Sequence, residues 1–172
     1  GYHDHNWGNA SMLELMHDWY WGRADVGPFT VISAYITPTT RYGAVPQTVF
    51  HLSRDGKLLA EDGRKVTFHA DDVMTDPTTG KPFGRILTWD YRDGETRWRV
   101  RYERHRELAS TRFADLLTGF RRLAARLIRF DGAYLRFGGT VTVERLEGDQ
   151  VVERTSTDDA VWELMYFGHA PR

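Results

Sequence analysis

Gly1-Tyr2-His3-Asp4-His5-Asn6-Trp7-Gly8 packs two imidazoles, a carboxylate, an amide and an indole between two glycines. Read as extended chain, with side chains alternating between faces, it sends His3, His5 and Trp7 to one side and Tyr2, Asp4 and Asn6 to the other. A strand whose only task is packing rarely needs that mixture. The stretch therefore reads as one wall of a pocket inside a β-barrel, with the rest of the chain supplying the barrel.

Just downstream, Met12, Leu15, Met16 and Trp19 fall at helical spacing opposite Glu14 and Asp18, which suits a short amphipathic turn or a segment draped over a barrel mouth. The cluster Trp19-Tyr20-Trp21 before Gly22 needs burial or a ligand to cover it. From Pro28 to Thr37 the chain is rich in β-branched and aromatic residues and nearly uncharged, so both faces of this strand read as buried or pocket-lining. Further strands follow at Thr48–Leu52, Lys57–Ala60 and Lys65–His69, with turns at Asp55-Gly56 and Asp62-Gly63. Residues 71–82 read as a polar loop.

Ile86–Tyr91 and Thr96–His105 flank a turn at Asp93-Gly94, and Trp98, Val100 and Tyr102 alternate with arginines, as in a sheet wet on one face. Between Ser110 and Arg129 the period becomes helical: Phe113, Leu116, Leu117, Phe120, Leu123, Ala124 and Leu127 form one apolar stripe, with Ser110 or Thr111 as cap. Strands return at Ala133–Leu146, Gln150–Thr155 and Ala160–Gly168. Eight or nine strands joined by tight turns, with one amphipathic helix late in the chain, predict an all-β antiparallel barrel able to hold a small ligand.

The 172 residues are enough for one domain with a substantial core. The chain starts on Gly1 inside its most loaded motif, so it is expected to be part of a longer protein. A net charge of −1 argues against a general nucleic-acid binder, whose footprint is a basic excess. The absence of cysteine excludes disulfides, thiolate catalysis and iron–sulfur ligation, and fits a reducing, cytoplasmic setting. No P-loop, dinucleotide fingerprint or nucleophile elbow is present, so no cofactor is expected. His-x-His offers two metal ligands, but no motif positions a third, and no metal is expected. Arg112, Arg121, Arg122, Arg126 and Arg129 beside the apolar stripe would allow contact with an anionic membrane surface; a helix packed on the barrel with its arginines in water is the simpler alternative.

The octapeptide at 1–8, the run Trp19-Tyr20-Trp21-Gly22-Arg23 and the closing Trp162-Glu163-Leu164-Met165-Tyr166-Phe167-Gly168 resemble the lipocalin-like family that includes carotenoid 1,2-hydratase and the AttH-type proteins. The resemblance implies the second of two lipocalin-like domains, a preceding domain of the same kind as partner, and a hydrophobic terpenoid or polyene substrate. In the hydratases of the family a His and a Trp spaced as in His-Asn-Trp belong to the active site, and they match His5 and Trp7. An acid is expected after a Tyr on the next strand. Here Tyr35 is followed by Ile36-Thr37, and residues 30–37 contain no carboxylate.

Protonating an alkene needs a proton donor, shelter from water and aromatic faces for a developing cation. His5 is the donor by residue type, Trp7 the cation-stabilising wall and Asp4 a further catalytic candidate placed to pair with a neighbouring strand. His3, Asn6, Trp19, Trp21, Tyr35 and Glu163 are candidate ligand-binding residues. For Glu163 two registers are open: it faces the interior with Val161, Met165 and Phe167, or it faces out while Ala160, Trp162, Leu164 and Tyr166 form the core. Three functions follow: acid catalysis at a C=C bond leading to hydration, isomerisation or cyclisation; a pericyclase that orients a polyene; and a non-catalytic carrier of an apolar ligand.

Overall fold

The computed structural model describes residues 7–120, 127 and 130–167. Nine strands, β1 (Met16–Val26), β2 (Phe29–Pro38), β3 (Gln47–Arg54), β4 (Lys57–Ala60), β5 (Val66–Thr75), β6 (Pro82–Asp93), β7 (Thr96–Arg112), β8 (Ala133–Glu147) and β9 (Gln150–Tyr166), form one antiparallel sheet. Its order is β4-β3-β2-β1-β9-β8-β7-β6-β5. Sequence neighbours other than β4 and β5 pair antiparallel, several through tight turns and β7 with β8 across the longer connection 113–132, and β1 joins β9 to make the meander continuous. The sheet curls into a lipocalin-like barrel whose seam lies between β3–β4 and β5. A 3₁₀ turn at Gly63–Lys65 packs into that seam, and a Cβ on Gly63 would overlap the Thr48 carbonyl oxygen.

Hairpin glycines sit where the backbone needs positive φ: Gly94 (57°) and Gly148 (57°) close the β6–β7 and β8–β9 turns. The long strands bend at bulges. β7 shifts register between Arg104 and Arg106 and again between Glu107 and Ala109, and β8–β9 shifts between Gly139 and Val141.

Strand alternation packs the interior with rings. Trp89, Tyr102 and Trp162 form a chain of edge contacts at 5.3 Å each. Phe68 stacks on Tyr35 at 4.1 Å, and Phe83 meets Phe137 at 5.1 Å. Gly22 makes room for this row, since a Cβ there would lie 2.9 Å from the Tyr102 ring. Such a core is close-packed. Among the described residues the interior pocket expected from the sequence is replaced by a filled core, because the rings of Trp89, Tyr102 and Trp162 occupy its centre and small inward residues such as Gly22 only make room for them.

The arginines of β7 lie on the outer face as the alternation predicts, in pairs such as Arg99–Asp90 (2.8 Å) and Arg101–Glu103 (2.8 Å). Four expectations need correction. The polar loop at 71–82 begins only after Thr75, where Asp76 ties the turn together. Trp19 does not continue a helical turn: the helix is Met12–Leu15, and β1 starts at Met16 because its backbone pairs with Pro38. The expected break between Thr155 and Ala160 is bridged by a bulge, so β9 is continuous. Finally, residues 110–112 are not the start of a helix. They extend β7 opposite Ala133–Leu135, and a 3₁₀ turn follows at Phe113–Leu116. Helical backbone is present at 119, 120 and 127, and the remainder of the expected 110–129 helix lies outside the described residues. Among the described residues no helix is long and apolar enough to cross a membrane.

Candidate functional site

The register of β1 decides where the open space lies. Tyr20, Gly22 and Ala24 oppose Tyr35, Ser33 and Val31 on the inner face, so Trp19, Trp21 and Arg23 project outward opposite Ile36, Ala34 and Ile32. On the other side Trp19, Trp21 and Arg23 oppose Met165, Glu163 and Val161 of β9. This outer face forms the floor of a groove of about 1270 Å³. Trp7, Gly8, Ala10, Met12, Leu15 and Met16 line its other side, and Arg136 of β8 and Asp159 of β9 contribute charge.

Four of the six tryptophans line this groove, Trp7, Trp19 and Trp21 from its walls and floor and the buried Trp162 from beneath the floor. Trp7 is 89% exposed. Trp19 packs its ring edge-on to Phe167 at 5.0 Å, and its indole N–H is out of water without an acceptor among the described residues. A donor in that state is costly by about 1–3 kcal/mol.

Glu163 brings a carboxylate to the groove. It faces outward, and Ala160, Trp162, Leu164 and Tyr166 form the core, as the second of the two registers required. Tyr134 Oη donates to Glu163 Oε2 at 2.8 Å. Burial, and then the Glu163 carboxylate, push the Tyr134 hydroxyl up to about 12. Directly across from Glu163 stands Arg136. Neither Tyr134 nor Arg136 is visible as a site residue from sequence. Alternation along β8 places both on one face, but only the β8–β9 register brings that face to Glu163.

Of the residues singled out in the sequence, the structure brings together Trp7, Trp19, Trp21 and Glu163. Tyr35 is turned away from them, on the inner face and stacked on Phe68, because it is the register partner of Tyr20. His3, Asp4, His5 and Asn6 lie outside the described residues.

A smaller cavity of about 310 Å³ opens at one barrel end between Asp18, Tyr20, Thr37, Val73, Phe83 and Tyr166. Its polar groups are engaged locally. Tyr20 Oη accepts from the Gly84 N–H at 2.9 Å, Tyr166 Oη donates to the Pro82 carbonyl at 2.7 Å, and His17 Nδ1 meets Asp18 Oδ2 at 2.5 Å. Among the described residues no group of three or more His, Asp or Glu side chains is placed to hold a metal ion.

Solved structures share this fold. CghA with Sch210972 is 16% identical with a TM-score of 0.57, covering 92% of this chain and 43% of that one. A second structure of CghA gives 15%, 0.58, 93% and 43%. Kievitone hydratase from Nectria haematococca is 10% identical with a TM-score of 0.56, covering 94% of this chain and 42% of the enzyme. The chain thus spans less than half the length of each. No curated protein matches its sequence. A family model described as Diels-Alderase-like matches residues 1–114, more than half of the 172, and the chain belongs to that family.

Proposed function

We propose that this domain serves a cofactor-independent enzyme that holds a hydrophobic polyene or terpenoid in the outer groove and promotes ring closure or hydration at a C=C bond. The observation that carries the reading is the groove itself: tryptophans and aliphatic side chains around the Glu163 carboxylate, which Tyr134 holds by a hydrogen bond. Such a wall orients an extended apolar molecule, and ordering a floppy polyene into a reactive conformer supplies much of the acceleration an intramolecular ring closure needs. Membership of a Diels-Alderase-like family supports a pericyclase, and the fold shared with kievitone hydratase supports the hydratase variant. In either variant the indole faces of Trp7, Trp19 and Trp21 favour positive charge developing on the substrate. His5 is proposed as proton donor or relay, with Asp4 beside it in sequence and His3 and Asn6 in ligand contact. A second lipocalin-like domain is proposed to complete the site.

The test is to recover the protein from its native host, extract it and identify any bound apolar molecule by mass spectrometry. The protein is then incubated with the open-chain form of that molecule. A product of unchanged mass with a new ring marks a pericyclase, and a product heavier by one water marks a hydratase. Recovery of the unchanged molecule, with tight binding, would instead mark the carrier and overturn the enzyme reading.

A further inference from the structure

We propose that Glu163 is a general base in the outer groove and that Tyr134 is its positioning residue; this rests on the reading of the groove as the reaction site. In an antiparallel pair the side chain directly opposite is the nearest cross-strand neighbour, and for Glu163 on β9 that is Arg136 of β8. The carboxylate nonetheless spends Oε2 on the Tyr134 hydroxyl, which belongs to the next rung, opposite Met165. Oε1 accepts no hydrogen bond from the described residues, and Glu163 lines the groove beside its β1 neighbour Trp21. One oxygen fixed and the other open to an aromatic wall is the arrangement a general base requires: a defined direction, with partial exclusion of water.

The substrate class that fits is a hydrophobic conjugated molecule with one acidic proton, an enol or a C–H next to a carbonyl. Glu163 accepts that proton, and the electron pair left behind delocalises over the carbonyl oxygen and the conjugated chain. The electron-rich diene so formed adds to an alkene farther along the same molecule: two carbon–carbon σ bonds form, three π bonds become one, and the ring is closed. Glu163 then returns the proton, so no atom or electron is gained or lost overall. Arg136, across the rung, stands where it favours the negative charge that develops on oxygen.

5-Nitrobenzisoxazole tests the assignment without the natural substrate. A carboxylate base removes its ring C–H proton, the C–H electron pair becomes part of a nitrile as the N–O bond breaks, and a coloured phenolate leaves; the base then gives its proton to buffer. Wild-type protein is expected to bind the probe, seen as tryptophan quenching, and to accelerate its opening. Glu163→Gln should lower kcat by at least about tenfold with KM unchanged, as for loss of a general base. Tyr134→Phe should lower kcat about threefold with KM and the melting temperature unchanged, a split that a purely structural role would not give. Probe bound but not turned over by wild type, or turned over equally by Glu163→Gln, overturns the base assignment. Absence of any quenching overturns the groove reading beneath it.

Discussion

Ser33 Oγ donates to Tyr102 Oη at 2.9 Å, and both residues are fully buried in the middle of the barrel. If the interior is the filled core described above, no water can reach either group when its partner is removed. Tyr102→Phe leaves the Ser33 hydroxyl without its acceptor, and Ser33→Ala leaves the phenol without its donor. Each substitution should cost about 1–3 kcal/mol, the penalty for stranding a buried polar group. In a domain of this size each kcal/mol is about 2–4 °C in Tm, so a typical loss of about 2 kcal/mol shifts Tm by about 4–8 °C. The double variant strands nothing and should be no less stable than the less stable single variant, giving a coupling of about 1–3 kcal/mol. Urea titration of the four proteins by circular dichroism measures this. Additivity of the two single losses would show that solvent or a ligand reaches the barrel centre, and would refute the filled-core argument.

Three further predictions concern other parts of the molecule. Gly139→Ala should destabilise by about 1–3 kcal/mol on thermal melting, because a Cβ there overlaps the Glu103 carbonyl oxygen at the β7 bulge and meets the Trp162 ring at 2.9 Å. Burial raises the Asp76 carboxyl, but donors from Thr79 N–H (2.7 Å), Thr79 Oγ1 (2.6 Å) and Ser110 Oγ (2.8 Å) outweigh it and hold the group below the usual carboxylate range. Its contribution to stability is therefore complete above the unfolded value of about 4 and lost as pH falls through the lower folded value; wild type should lose more stability between about pH 6 and 3 than Asp76→Asn, measured by urea melts at each pH. Trp162→Ala should cost about 3–5 kcal/mol of fold, whereas Trp21→Ala should leave the urea midpoint nearly unchanged and weaken binding of a fluorescent polyene such as cis-parinaric acid severalfold.

Much of the barrel is legible in the sequence because its signals are local. Asp93-Gly94 and Gly148-Asp149 announce hairpins, and the alternation Trp98, Val100, Tyr102 against arginines announces an outer face. The helix expected over 110–129 fails at its start for a non-local reason: residues 110–112 find partners in β8, and Ser110 is drawn to Asp76, 34 positions earlier. The site is legible in composition but not in geometry. Trp19 and Trp21 stand out as a cluster, yet nothing in one strand says which face is inside. That is decided by Gly22, whose missing side chain admits the ring of Tyr102 from β7. Tyr134 and Arg136 depend on a register between strands and carry no local mark.

The central claim is that the ligand site lies on the outer face of the sheet and that the barrel interior is closed. Fluorine NMR of protein labelled with 5-fluorotryptophan tests it most directly, since the six indoles divide between the two places: Trp7, Trp19 and Trp21 line the groove, while Trp89 and Trp98 lie in the core and Trp162 is buried beneath the groove floor. Titration with cis-parinaric acid should move the resonances of Trp7, Trp19 and Trp21 and leave those of Trp89 and Trp98 in place. Shifts at Trp89 and Trp98, with the groove tryptophans unmoved, would put the ligand inside the barrel and contradict the account.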